Sequence, residues 1–329
     1  MFFVLIGDVQ AQNGTQLNLV WDEEFNQPDG SSPDPTRWGY DLGSNGINSE
    51  LEYYTSRTNN ARIVNGQLVI EADRESYGGA SYTSARLKTQ GKWSWTYGRL
   101  EARIKIPRGQ GIWPAFWTLG ANINSVSWPA CGEIDILENI GNNNNLNIAY
   151  GTIHGPVSGG LDYNGGAGVQ GRYTLPGGAA LADNFHVYAV QWTTNQVQWF
   201  VDTNLYFTAT PASLPSRGTW IFTQPQFLVL NVAVGGTWPG NPDGTTVFPQ
   251  QMLVDYVRVY QQTAPLQISM AQSNGGVVLS WPTNIICHLQ TQTNSLVGGS
   301  WSDQTSTTSP LGVTPDPNNA CVYFRLESP

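Results

Sequence analysis

The 329 residues provide for one large domain and a small one, or two of medium size, with material for an ample core. Charged residues make up only 12%, about half the ordinary share, while glycine (36) and tryptophan (13) are abundant, which excludes a helical bundle or a disordered chain. The net charge of −9 argues against nucleic acid or an anionic membrane surface as a partner and favours a neutral polymer.

The chain opens on Met1-Phe2-Phe3-Val4-Leu5-Ile6-Gly7, followed by Val9-Gln10-Ala11. A short apolar run with small residues at −3 and −1 of a cut after Ala11 reads as the tail of a secretory signal without its basic start. Residues 1–14 are therefore expected to be a signal remnant and arm, and the protein to be secreted, extracellular or periplasmic. No run reaches the ~18 apolar residues of a membrane span.

Residues 15–262 read as a single all-β domain. Short strand-like runs, among them 68–72, 98–106, 186–192 and 196–202, are separated by clusters of Gly, Asn, Pro and Asp. Arg99, Glu101, Arg103 and Lys105 alternate with Leu100, Ala102, Ile104 and Ile106, the period of a half-solvated antiparallel strand. Many short strands with turn signals between them predict a sandwich or jelly roll whose concave face offers a trough.

Between these strands lies the most telling hexapeptide, Glu133-Ile134-Asp135-Ile136-Leu137-Glu138. Carboxylates threaded through aliphatic residues are costly to bury unless their acidities are used. Alternation puts Glu133 and Asp135 on one face and Glu138 on the other. One extra residue, a β-bulge near Ile136-Leu137, brings Glu138 round to join them. The outer glutamates would then stand roughly 5–5.5 Å apart, the spacing for retaining cleavage of a glycosidic bond. Asp135 between them adds like-charge repulsion, which keeps one glutamate protonated as an acid. The alternative is an ordinary strand whose carboxylates pair with arginines.

After a linker-like Gln261-Gln262-Thr263-Ala264-Pro265, residues 263–329 read as a linker and a small β-module, with strand-like runs at 276–281 and 321–326. Its size is near the lower limit for an independent fold. Trp281, which ends an apolar run, reads as core more than as a sugar platform. Of the three cysteines, Cys287 and Cys321 are able to pair, leaving Cys131 as a buried thiol. Cys and His do not occur at zinc-ligand spacing.

Six further pieces, in order, carry a resemblance. They are Trp21-Asp22-Glu23-Glu24-Phe25, Asn48-Ser49-Glu50-Leu51-Glu52-Tyr53-Tyr54, Tyr82-Thr83-Ser84-Ala85-Arg86-Leu87-Lys88-Thr89, Gly111-Ile112-Trp113-Pro114-Ala115-Phe116-Trp117, Trp128-Pro129-Ala130-Cys131-Gly132 and Asp255-Tyr256-Val257-Arg258-Val259-Tyr260. With the carboxylate hexapeptide they resemble glycoside hydrolase family 16, and within it the bacterial laminarinases, over nearly the whole span from Leu19 to Tyr260.

The resemblance implies a concanavalin-like β-jelly roll that cleaves β-1,3-glucan internally with retention; the protein is expected to be a monomer. It implies Glu133 as nucleophile, Glu138 as general acid/base and Asp135 as the carboxylate that tunes the nucleophile. Trp113 and Trp117 match aromatic platforms for sugar rings, with Trp128 and Trp238 as groove-wall candidates. Asn48, Glu50 and Arg86 match positions that hydrogen-bond sugar hydroxyls, although Arg86 has an alternative reading as an ion-pair partner of Glu50 or Glu52. His154 resembles the family's histidine beside the carboxylates, with a purely structural histidine as the competing reading; His186 and His288 read as structural. No cofactor is implied for catalysis. A structural calcium ion is implied, held by Glu24, the Gly66 carbonyl and Asp255. Competing functions are a mixed-linkage glucan or galactan hydrolase of the same family, and a carbohydrate-binding jelly roll without turnover.

Overall fold

In the computed structural model the described residues are 2–5, 17–44, 46–142 and 144–262, and, of the C-terminal stretch, 268–273, 276–281, 288–294, 301–303, 309–314, 316, 318–319 and 321–327. The chain divides into two compact units, Leu19–Gln261 and a smaller one made of Met1–Asn18 with Gln262–Pro329.

Two large antiparallel sheets build most of the larger unit, beside a two-stranded parallel sheet of Glu52–Tyr54 with Tyr82–Ser84. We label the strands of the sheet that carries the hexapeptide in chain order: β1 (Gly39–Asp41), β2 (Arg86–Lys88), β3 (Ile112–Gly120), β4 (Glu133–Glu138), β5 (Ile148–His154), β6 (Val169–Thr174) and β7 (Gln226–Val234). Their order across the sheet is β6-β5-β4-β3-β7-β2-β1. The second sheet runs Asn204–Ala209, Gln196–Val201, His186–Thr193, Gly98–Lys105, Gln250–Gln262, Gln67–Ala72 and Ala61–Val64, with Leu17–Glu23 also paired to Gln250–Gln262.

The inward faces of both sheets share one core. Ile112, Phe116, Ile134, Ile136, Leu228, Leu230 and Val232 from the first sheet pack with Leu100, Ala102, Ile104, Val190, Trp192, Val197 and Trp199 from the second. The alternation read at 98–106 is realised. Leu100, Ala102 and Ile104 are core, while Arg99 bonds Glu101 at 2.7 Å and Arg103 bonds Asp255 at 2.8 Å.

In the smaller unit, strands at Ser269–Ser273, Gly276–Ser280 and Leu311–Val313 form one sheet, and Phe2–Leu5, Cys321–Glu327, His288–Thr293 and Ser302–Asp303 another. Phe2–Leu5, within the segment read as a signal remnant, is a strand here, paired in parallel with Cys321–Glu327. Trp281 belongs to this unit's own core with Leu279, Leu289 and Phe324. Cys287 lies outside the described residues, so its pairing with Cys321 has no structural account. Cys131 is a buried free thiol.

Both carboxylates among the implied calcium ligands have arginine partners. Glu24 accepts from Arg258 through both oxygens, at 2.7 and 3.0 Å, and Asp255 accepts from Arg103 at 2.8 Å. Gly66 sits at positive φ in the turn between Ala61–Val64 and Gln67–Ala72. Glu24 would have to give up its forked pair with Arg258 to ligate calcium, whereas Asp255 uses only Oδ2 toward Arg103.

Candidate active site

The hexapeptide kinks where the sequence demands it. Along β3, Leu119 pairs with Glu133, Thr118 with Ile134 and Trp117 with Asp135; then Phe116 pairs with Leu137 and Ala115 with Glu138, so Ile136 is skipped. On the other side the register jumps between Asp135↔Thr152 and Glu138↔Tyr150. Ile136 and Leu137 both enter the core, two successive apolar residues turned the same way, and the cost is one unpaired step in the ladder. The result turns Glu133, Asp135 and Glu138 together onto the outer face.

Cross-strand pairing arranges that face in rows. One row reads Asp41, Arg86, Asn231, Ala115, Glu138, Tyr150 and Arg172. The next reads Gly39, Lys88, Val229, Trp117, Asp135, Thr152 and Gln170. The third holds Phe227, Leu119, Glu133 and His154. The three acids therefore occupy three consecutive rows.

Each acid has its own partner. Trp113 Nε1 donates to Glu138 at 3.0 Å, and Trp128 Nε1 donates to Glu133 at 2.9 Å. Asp135 Oδ2 lies 3.3 Å from His154 Nε2, and His154 Nδ1 lies 2.7 Å from Asp162. From the core side, Trp199 Nε1 donates to the Asp135 carbonyl at 2.7 Å, which pins the strand beside the bulge.

Environment separates the two glutamates. Burial, then the negative charge of Asp135 and that of Glu133, holds the Glu138 proton well above the ordinary carboxylate range, against the opposing effects of His154 and the Trp113 donor. Burial and Asp135 push Glu133 up to about 8, with His154 and Arg86 offsetting part of the rise. Glu133 is also only half-buried whereas Glu138 is 8% exposed, so burial weighs more on Glu138. Both carboxyls are thus held above the ordinary carboxylate range, Glu138 in the more enclosed position.

The sugar-contact candidates gather around the same face. Trp238, 37% exposed, meets Trp113 edge-on at 5.5 Å and Tyr150 at 5.0 Å, forming an aromatic corner at the Glu138 end. Glu50 bridges to Gly235, and Thr237 N–H donates to the Asn48 carbonyl, so Asn48 and Glu50 stand by the same corner. Trp128, 46% exposed, marks the Glu133 end beside His154. Trp117 donates to Asn231 at 2.7 Å, and the Arg86 guanidinium lies over its ring at 4.6 Å. Arg86 pairs with Asp41 at 3.1 Å. This corrects the alternative partners Glu50 and Glu52: Asp41 is its direct cross-strand neighbour, whereas Glu52 is turned inward to accept from Val234 N–H.

Sequence reasoning missed Asp162, Tyr150, Asn231 and Tyr206. Tyr150 and Asn231 carried a usable signal, since each alternates with core residues on its strand. Asp162 sits in a glycine-rich turn and Tyr206 on the opposite sheet, where nothing local points to the acids. Glu133, Asp135 and His154 offer ligand atoms within 4.8 Å of one another. Both ring nitrogens of His154 are already turned to carboxylates, however, Nε2 to Asp135 and Nδ1 to Asp162.

The profile described as Glycosyl hydrolases family 16 matches residues 48–258, well over half of the chain. The chain belongs to glycosyl hydrolase family 16. It is 42% identical over 266 residues to a β-glucanase from Rhodothermus marinus, covering 78% of this chain and 90% of that protein. It is 41% identical over 259 residues to the clotting factor G α subunit of Tachypleus tridentatus, covering 75% of this chain but 34% of that longer protein. Among solved structures, the laminarinase catalytic domain from Thermotoga maritima superposes with a TM-score of 0.68 at 45% identity, over 75% of this chain and 99% of that domain. The β-jelly roll and the glycosidase class expected from the sequence are those of the family.

Proposed function

We propose that this family 16 enzyme is an endo-acting retaining hydrolase of β-1,3-glucan of the laminarin type, working by double displacement. The observation that carries the reading is the bulge at Ile136-Leu137, which turns Glu138 and Glu133 onto one face on either side of Asp135. The names of the relatives, β-glucanase and laminarinase, support β-1,3-glucan as the substrate.

In the first step Glu138 passes its proton to the glycosidic oxygen as that bond to the anomeric carbon breaks. Glu133 attacks the same carbon and forms a glycosyl ester. In the second step the Glu138 carboxylate takes a proton from water, the hydroxide adds to the anomeric carbon, and Glu133 leaves. Two inversions give retention. The aromatic corner of Trp113, Tyr150 and Trp238 and the Trp117–Arg86 pair offer ring faces to the C–H faces of successive sugars.

Reducing-end release from laminarin, followed by NMR of the first-formed anomer, tests the reading. The β-anomer should appear first, and Glu133→Gln and Glu138→Gln should each abolish turnover. Inactivity on laminarin, lichenan, curdlan and agarose alike would leave a carbohydrate-binding jelly roll in its place.

Export and a monomeric state belong to the same reading, the first supported by the apolar run at residues 2–6. N-terminal sequencing of protein recovered from the medium and light scattering on eluted protein check them. Recovery from the cell fraction alone, or a dimer mass, would overturn them.

A further inference from the structure

Asp162 belongs to none of the motifs, yet its side chain is only 2% exposed. One oxygen, Oδ1, accepts from Gly155 N–H at 2.9 Å and closes the turn. The other, Oδ2, contacts His154 Nδ1 at 2.7 Å, while Nε2 of the same ring faces Asp135 Oδ2 at 3.3 Å. The ring is clamped as well as bracketed. Gly168 has positive φ, and a Cβ there would come within 2.9 Å of His154 Cε1. Trp128, which donates to Glu133, lies against the ring at 6.1 Å.

A neutral imidazole between two carboxylates would turn a lone pair on one of them. Protonation at both nitrogens removes that conflict and places a positive charge between negative ones. We propose that Asp162 is a positioning residue for the cleavage reaction: it holds His154 as a doubly protonated cation, so that Glu133 carries its negative charge next to Asp135. The proposal rests on the hydrolase reading for its kinetic consequence and on the ring geometry alone for the state of His154.

The surroundings agree. Glu133, Asp135 and Glu138 face the histidine from β4, Asp162 from its turn, the Arg86 charge reaches Glu133 from β2, and the buried Tyr206 phenol approaches Asp135 and Glu138 from the second sheet. Burial by itself would strip the His154 proton. The contacts with Asp135 and Asp162, with the charge of Glu133, outweigh it and raise the ring to about 12. With an amide in place of Asp162, one of those contacts is lost and burial gains. A neutral His154 no longer offsets Asp135, so Glu133 ionises at higher pH.

The experiment pairs kcat/KM on laminarin from pH 4 to 10 with histidine-selective 15N NMR of wild type, Asp162→Asn and Asp162→Glu. The chain has three histidines, which keeps the spectrum assignable. In wild type, His154 should show two protonated nitrogens from pH 5 to 9. In Asp162→Asn it should lose a proton within that range, the acidic limb of kcat/KM should move up by about 1–2 pH units, and Asp162→Glu should restore both. A His154 that is neutral at pH 7 in wild type, or an acidic limb unmoved in a folded Asp162→Asn, overturns the proposal. Should the Asn variant fail to fold, the wild-type nitrogen shifts still decide. A wild type without laminarin hydrolysis but with a doubly protonated His154 would sink the substrate reading and leave the histidine assignment standing.

Discussion

The bulge depends on a residue without a side chain. Gly151 lies on β5 between Tyr150, opposite Glu138, and Thr152, opposite Asp135, where the register jumps. A Cβ at this position would fall 2.3 Å from Trp199 Cδ1 and 2.6 Å from the Tyr206 hydroxyl. Trp199 cannot retreat easily, because it is fully buried and packs on Phe207 at 4.9 Å. Gly151→Ala therefore forces the indole away from the Asp135 carbonyl it now bonds at 2.7 Å. Overpacking of this kind costs about 1–3 kcal/mol, and a buried carbonyl left without its donor costs about 1–3 kcal/mol more. A loss of about 3 kcal/mol in a unit of this size lowers the unfolding midpoint by roughly 6–12 °C. The chemistry suffers too, since a shift of about 1 Å in a reacting carboxylate lowers turnover on the order of 100-fold. Differential scanning fluorimetry and initial rates on laminarin measure both. A midpoint within 1 °C of wild type together with kcat within about twofold would refute the idea that Trp199 holds the kink.

Other outcomes follow from the same geometry. Glu52 is buried, and burial followed by the charge of Glu50 pushes its carboxyl from 4.5 up to about 8. A raised folded value means stability that is whole below pH 4.5 and is lost as pH climbs through 8. Glu52→Gln keeps an acceptor for Val234 N–H, so denaturant curves should show the variant gaining on wild type between pH 5 and 8, by at most about 1.4 kcal/mol for each pH unit climbed; parallel pH trends would count against it. Trp117→Phe keeps an aromatic face under Arg86 but strands the Asn231 acceptor, and KM should rise about tenfold with kcat changed less than about threefold. A fall confined to kcat would show that Trp117 serves the chemistry. With Glu24 and Asp255 committed to arginines, exchanging calcium for a chelator should leave the unfolding midpoint within about 1 °C; a clear stabilisation by calcium would show that the arginines yield to the ion.

By itself the sequence determined the all-β class, the strand periods and the acids. These are local properties: alternation of apolar and polar residues, glycine-rich turns, and carboxylates where solvation forbids idle ones. It also indicated the kink, because Ile136 and Leu137 are consecutive apolar residues inside an alternating strand. Only the tertiary structure decided who stands next to whom. Asp162 reaches His154 from a turn with no pattern of its own, Arg86 takes Asp41 because the register puts them opposite, and Trp199 and Tyr206 come up beneath the acids from another sheet. Hydrogen bonds and charge coupling act over a few ångströms of space, and strands far apart along the chain supply them. Periodicity records which way a side chain faces. The fold alone chooses what it meets there.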